Sequence, residues 1–510
     1  MVARLASDVD DQARGVHKAG PLTISQVVLR TIFGLGFFAV LAERIWLGTD
    51  LPLWIDETWT AIIASQPTWT LLWKEMWLDV NAPLYYVLMH LWVDVAGVSN
   101  AALRAPSIFF IISASLLPLL WRVPGISRES RLAWSAMIFF WWPGMAISVD
   151  ARTYALLLFL SVAQTIAFIR LLDSPSRKSA FIWAIFGATG LLTHYYVIYA
   201  LIVEGLIFLW IHRASALRTW PAALVFVPCL IEMAYHLPRV FEYTRPDARW
   251  YEPVQLKDLF YLVQFTFAPP SLLFDVFLGL ILAGGIWAAK KYKSASSDRA
   301  SASARAAAVS APIMLAIALG IGVFQASLTD RYLTPLVPPM LLGIVVLAGQ
   351  SIRPSVSYTT IAGLYLAAAL TPGPLLKYQW GRTFYGYERA SAFIEQAKPT
   401  MIVFAWDHPA AKILDPNSLQ QLGGFFLQRA GQRVLTAPLI LKAGDDANSL
   451  LLKAARGPRP AILWLYDRHQ KSAAQDFPPM LDLRPDWRCR HVRQGDRGVV
   501  ACAPGRLFYP

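Results

Sequence analysis

The chain has 510 residues, 56% hydrophobic and 15% charged, where a soluble domain carries about a quarter charged residues. Its 20 Trp, 27 Phe and 19 Tyr gather in long apolar blocks between short polar links, so lipid is the solvent it fits, and soluble cytosolic, collagen-like and disordered classes are set aside. The net charge of +13 lies in short basic clusters between those blocks, as in cytoplasmic loops, and no nucleic-acid partner is expected.

Residues 1–26 read as a polar cytoplasmic segment, and Val27–Leu47 as an uncleaved first span, too long and too late for a signal-peptide core. Further spans are predicted at Pro106–Leu120, Leu132–Ser148, Tyr154–Leu171, Phe181–Leu192, Val197–Ile211, Trp220–Leu237, Leu272–Ala289, Ala306–Ala326, Leu333–Leu347 and Tyr358–Leu370, about eleven in all. Pro83–Val98 is apolar but short, and His90 and Asp94 interrupt it. Reading it as a juxtamembrane helix keeps the Arg and Lys clusters cytoplasmic; reading it as a span turns every later cluster outward. The expected fold is therefore a polytopic α-helical membrane module over residues 27–373, with a first outer loop at 48–105. Residues 374–510 lose the apolar blocks and show short β-like runs, Met401–Ala405, Ala461–Tyr466 and Val499–Ala503. They read as a small extracytoplasmic α/β domain. There Cys489 and Cys502 either pair or remain two thiols, as geometry and compartment decide.

Unusual polar residues collect on the outer side. The first outer loop carries Asp56 and Glu57 directly after the first span, then Asp79 and the Pro83–Tyr86 segment with Tyr85. Carboxylates at the edge of hydrocarbon need a partner, a cation or water. The next outer loop, SVDARTYALLL, supplies Asp150, Arg152 and Tyr154. Asp150 either meets Asp56 across the bundle, where the two could hold a divalent cation, or forms a local ion pair with Arg152. THYY places His194 and Tyr195 at a span end, as ligands or as interfacial anchors. The fourth loop holds Arg245 and Arg249 among aromatics, suiting either a lid over an anionic ligand or a solvated loop. DRYLTPL sets Arg331 and Tyr332 at a span mouth, against the positive-inside trend. Phosphate binding at membrane level and snorkelling are its two readings.

In this order, IDET, D-x-N-A-P-L-Y-Y, A-L-R-A-P-S, S-V-D-A-R-T-Y-A-L, T-H-Y-Y and D-R-Y-L-T-P-L-x-P-P resemble the polyprenyl-phosphate-sugar-dependent glycosyltransferases of the GT-C fold, over roughly residues 25 to 375. The nearest branches are similar to the protein O-mannosyltransferases and the lipid A aminoarabinose transferases. The resemblance implies a catalytic carboxylate at Asp56 with Glu57 as companion, further acidic positions at Asp79 and Asp150, and contact with the lipid phosphate at Arg331 and Tyr332. A divalent metal shared by Asp56 and Asp150 is a further implication, and Tyr85, Arg152, Tyr154, His194 and Tyr195 become candidate substrate-binding residues. The chain departs from its relatives at Asn81-Ala82 and at Trp59-Thr60, where they carry basic residues, which moves phosphate binding toward Arg331, Arg245 and Arg249. The implied activity is sugar transfer, with inversion, from a polyprenyl-phosphate donor to an envelope lipid, glycan or protein at the outer face of the plasma (inner) membrane. A flippase of lipid-linked sugars is the alternative, for which Glu204 and Glu232 are the mid-block acids.

Overall fold

The structure is a computed structural model. It describes residues 23–242, 253–292, 300–325, 327–371, 387–406, 416–442, 445–467, 487–494 and 497–504.

The first helix, α1 (Ile24–Asp50), starts at a Thr23–Gln26 capping box and ends where the first outer loop begins. That loop folds into three short helices, α2 (Ile55–Ala64), α3 (Trp69–Leu78) and α4 (Leu84–Ala96). At 13 residues, α4 extends about 20 Å, short of the roughly 30 Å hydrocarbon thickness. Its length fits the expected juxtamembrane helix. The next helix, α5 (Asn100–Leu120), opens on Ser99, whose Oγ accepts Ala102 N–H. It starts earlier than the predicted Pro106, which lies inside the helix. Arg104 therefore lies inside a helix.

Among the described residues, seven segments are long and apolar enough to cross a membrane: Ile24–Asp50, Asn100–Leu120, Tyr154–Asp173, Val197–Glu242, Leu272–Lys291, Ala302–Phe324 and Asp330–Ala348. The chain is a multi-pass membrane protein. Val197–Glu242 runs for 46 residues and holds two of the predicted spans, joined by the 3-10 stretch Arg213–Phe226. Three predicted spans fall on shorter helices, Arg128–Phe140, Arg177–Leu191 and Pro354–Ala369. The first of these stops before Pro143, which opens the short helix Pro143–Ser148. Tyr154–Asp173 is buried almost all round, as an apolar helix at the centre of a bundle must be.

The C-terminal domain is a five-stranded sheet in the order β2-β1-β3-β5-β4, with β1 (Met401–Trp406), β2 (Leu435–Ile440), β3 (Pro460–Asp467), β4 (Trp487–Gln494) and β5 (Arg497–Pro504). β1 pairs in parallel with β2 and β3, and β5 pairs antiparallel with β3 and β4. The predicted runs are the three inner strands, and both strands not anticipated are edges. β2 contains Pro438, and β4 alternates Arg488 and Arg490 with its apolar residues. Proline and charge are what edge positions select. Cys489 stands directly opposite Cys502, and the two form a disulfide.

This domain shares a core with the first outer loop. Leu53, Trp59, Ile62, Tyr86 and Leu103 belong to one buried cluster with Phe393, Leu419, Leu422, Phe425 and Phe426.

Candidate active site

The adjacent acids Asp56 and Glu57 occupy the first turn of α2, about 100° apart around the helix. Glu57 turns inward and is fully buried. Arg104 Nε donates to its Oε1 at 2.7 Å and Arg104 Nη2 to its Oε2 at 2.6 Å. Ala151 N–H adds a bond to Oε1 at 2.9 Å and Trp54 N–H one to Oε2 at 3.2 Å. The remaining Arg104 donors reach Leu51 O at 2.5 Å and Pro52 O at 2.9 Å. This bidentate pair ties the end of α1, the start of α2, and α5 together. Both oxygens of Glu57, the expected companion of Asp56, are thus engaged by the scaffold.

Asp56 faces the other way, 22% exposed. Its Oδ2 lies 3.4 Å from Arg331 Nη2 and 3.8 Å from Arg152 Nη2, distances of ion pairs rather than tight hydrogen bonds. Arg152 comes from the short loop before Tyr154 and also donates to Asp56 O at 3.2 Å. Burial works against its guanidinium, yet the facing Asp56, Tyr86, Tyr154 and Asp79 hold its pKa well above the ordinary value. Arg331 lies over the rings of Trp54, at 5.2 Å, and Tyr154, at 5.5 Å. Three separate segments thus converge, each resting on buried structure: Asp56 on a helix pinned by Arg104, Arg152 just before the central helix Tyr154–Asp173, and Arg331 at the mouth of Asp330–Ala348.

The aromatic rim continues through His194, whose ring lies 4.7 Å from Tyr332 and 5.8 Å from Tyr154. Burial, and secondarily the charges of Arg152 and Arg331, push the His194 pKa down to about 3. It is a neutral imidazole at any physiological pH. Its Nδ1 accepts Tyr196 N–H at 3.3 Å, so Nε2 carries the proton. A cavity of about 300 Å³ begins at this rim, walled by Asn81, His194 and Tyr332 and continuing between Tyr199, Leu237 and Phe241. It is mostly apolar, of a size that takes part of a lipid or a small ligand.

The remaining candidates lie at or beyond this rim. Asp79 is buried; its Oδ1 accepts Val80 N–H at 2.7 Å and its Oδ2 accepts the Tyr86 hydroxyl and Asn81 Nδ2. Asp150 is buried too, its Oδ1 accepting the Trp54 indole N–H at 2.8 Å. The Tyr195 hydroxyl lies 2.8 Å from Glu232 Oε1 and 2.5 Å from His236 Nδ1. Tyr85 is buried behind the site, and burial pushes its phenol pKa up. Glu204 accepts from Gln164 Nε2 at 2.9 Å and Trp183 Nε1 at 2.7 Å. Arg245 and Arg249 lie outside the described residues.

A divalent cation does not fit the pair first suggested for it. The Asp56 carboxylate faces two guanidinium groups, and Asp150 faces an indole donor. Among the described residues no group of three or more His, Cys, Asp or Glu side chains could hold a metal.

Arg104 and Trp54 were not among the sequence candidates. Arg104 carried a usable signal, being a basic residue near the start of a span, as Arg331 is.

No family model and no curated protein sequence matches the chain. Solved structures do. ArnT from Cupriavidus metallidurans in the apo state aligns over 93% of this chain and 98% of its own, with a TM-score of 0.54 at 12% identity. The same protein bound to undecaprenyl phosphate gives a TM-score of 0.52 at 13% identity over the same shares. The chain has the GT-C fold.

Proposed function

We propose that the protein is a membrane glycosyltransferase that moves a sugar from a polyprenyl-phosphate donor to an envelope lipid, glycan or protein at the outer face of the inner membrane. The observation that carries this reading is the partly exposed Asp56 carboxylate between Arg152 and Arg331, beside an aromatic rim and an apolar cavity. Phosphate is already a good leaving group, so the site must bind the developing charge, orient the acceptor and take its proton. Arg331 offers a guanidinium fork for the phosphate, and its loose pairing with Asp56 is exchangeable for that anion. Released from Arg331, Asp56 serves as the general base. Attack on the anomeric carbon from the side opposite the phosphate inverts its configuration. No step is assigned to a metal.

The ArnT structure with undecaprenyl phosphate supports a lipid phosphate as ligand for this architecture. The Cys489–Cys502 disulfide supports an oxidising, extracytoplasmic location for the C-terminal domain and the loops packed on it. The test is incubation of the purified protein with labelled polyprenyl-phosphate sugars and an envelope extract, with and without chelator. The expected result is label passing from the donor into a new product, insensitive to chelator. Donor that crosses a bilayer chemically unchanged would make the protein a flippase instead.

A further inference from the structure

The turn that launches the Asp56 helix is gripped from two sides. From within the membrane body, Arg104 donates to the carbonyls of Leu51 and Pro52. From the C-terminal domain, Glu388 on the helix Tyr387–Gln396 accepts the Leu53 N–H through Oε2 at 2.9 Å. Leu53 is fully buried and lies just before Ile55, where α2 starts.

Glu388 is itself held in place. Asn100 Nδ2 reaches both its oxygens at 3.1 Å and also Leu51 O at 3.3 Å. Arg429 Nη2 pairs with Glu388 Oε1 at 2.5 Å, and Arg429 Nη1 donates to Asn100 Oδ1 at 2.7 Å. Beneath this network lies the apolar core shared between the first outer loop and the C-terminal domain. The turn from Leu51 to Leu53 thus has its Leu51 and Pro52 carbonyls held by Arg104, with Asn100 also on Leu51 O, and its Leu53 N–H held by Glu388.

Resting on the transferase reading of the Asp56 site, we propose that Glu388 is a positioning residue for Asp56. Its carboxylate fixes Leu53, sets α2 in place, and makes the C-terminal domain part of the catalytic unit. Asp56 stands in the first turn of α2, so the seat of that helix sets where its carboxylate stands. Displacements of about 1 Å at a reacting group cost on the order of 10²-fold in rate.

The experiment uses the full chain in lipid nanodiscs with Glu388→Ala and Glu388→Gln. Amide hydrogen exchange is read on peptides spanning residues 51 to 60, alongside kcat and donor KM with labelled polyprenyl-phosphate sugar. Glu388→Ala should raise exchange at Leu53 by about 10-fold or more, as loss of a hydrogen bond to a charged group implies. It should lower kcat by about 10-fold or more while donor KM stays within about twofold. Glu388→Gln keeps an oxygen for Leu53 and should restore most of both. If the alanine variant does not fold, Glu388→Asp, with its arm one methylene shorter, carries the same expectation. Unchanged exchange at Leu53, equal loss in the Ala and Gln variants, or a change confined to KM would overturn the proposal. A wild-type protein that transfers no sugar would remove the transferase reading, while the exchange arm still decides whether Glu388 anchors Leu53.

Discussion

Asp56 and Glu57 are consecutive residues of one chemical class, and each faces arginine. Glu57 is fully buried, takes a bidentate Arg104 and two backbone N–H groups, and has its bonds between 2.6 and 3.2 Å. Asp56 is 22% exposed and meets Arg331 at 3.4 Å and Arg152 at 3.8 Å. A carboxylate with every lone-pair direction engaged in low dielectric is architecture, because freeing it leaves a buried charge unpaired. A carboxylate loosely shared by two cations at an opening can exchange one of them for an incoming anion. The contrast teaches that saturation and exposure, not proximity to arginine, separate a structural ion pair from a reactive one.

The largest effect expected is on the structural side. Glu57→Gln keeps the volume but strands the Arg104 guanidinium, and should destabilise the protein by about 3–5 kcal/mol, read as a fall in its thermal midpoint in detergent. A midpoint unchanged from wild type would erase the distinction between the two acids. Next comes the C-terminal side. Replacing both Cys489 and Cys502, 13 residues apart, with serine should cost the sheet domain about 3 kcal/mol. Chemical denaturation followed by exchange in β4 and β5 measures it, and should leave Glu57 protected.

The third effect is a pH dependence from His194. Its folded pKa of about 3 lies below the ordinary 6.5, so its contribution is complete above pH 6.5. It declines as pH falls, because the unfolded chain takes up a proton that the folded one refuses. At pH 5 the loss is about 2 kcal/mol. His194→Gln should therefore lose less stability than wild type between pH 7 and 5, and equal losses would contradict a neutral buried imidazole. The smallest effect is at Arg331. Lysine keeps the charge but loses the fork and the stacking over Trp54 and Tyr154, and should raise donor KM about 10-fold, or about 1.4 kcal/mol. If Arg331→Lys leaves donor KM unchanged, the phosphate is bound elsewhere.

Much of this was legible from residues alone. Apolar blocks gave the helices, and Asp56, Glu57, Asp79, Asp150 and Arg331 stood out because charge is scarce near the spans. What stayed hidden was rotational phase. Nothing in IDET says which acid turns inward, since that is decided by Arg104, 47 positions away. Arg104 escaped notice because α5 begins at Asn100, ahead of the proline that looked like its start. Edge strands β2 and β4 were illegible for a related reason. Proline and arginine dilute the apolar alternation where a strand needs no second neighbour. Pairing of Cys489 with Cys502 follows from the β4–β5 register, which spacing does not specify.

The most direct test of the central claim is a single-turnover measurement of sugar transfer from labelled polyprenyl-phosphate donor in nanodiscs, comparing wild type with Asp56→Asn at equal amounts of folded protein. A base that takes the acceptor proton implies a fall of about 10² to 10⁴ in rate, with the thermal midpoint unchanged. An Asp56→Asn rate within about twofold of wild type would contradict it and remove Asp56 from the chemistry.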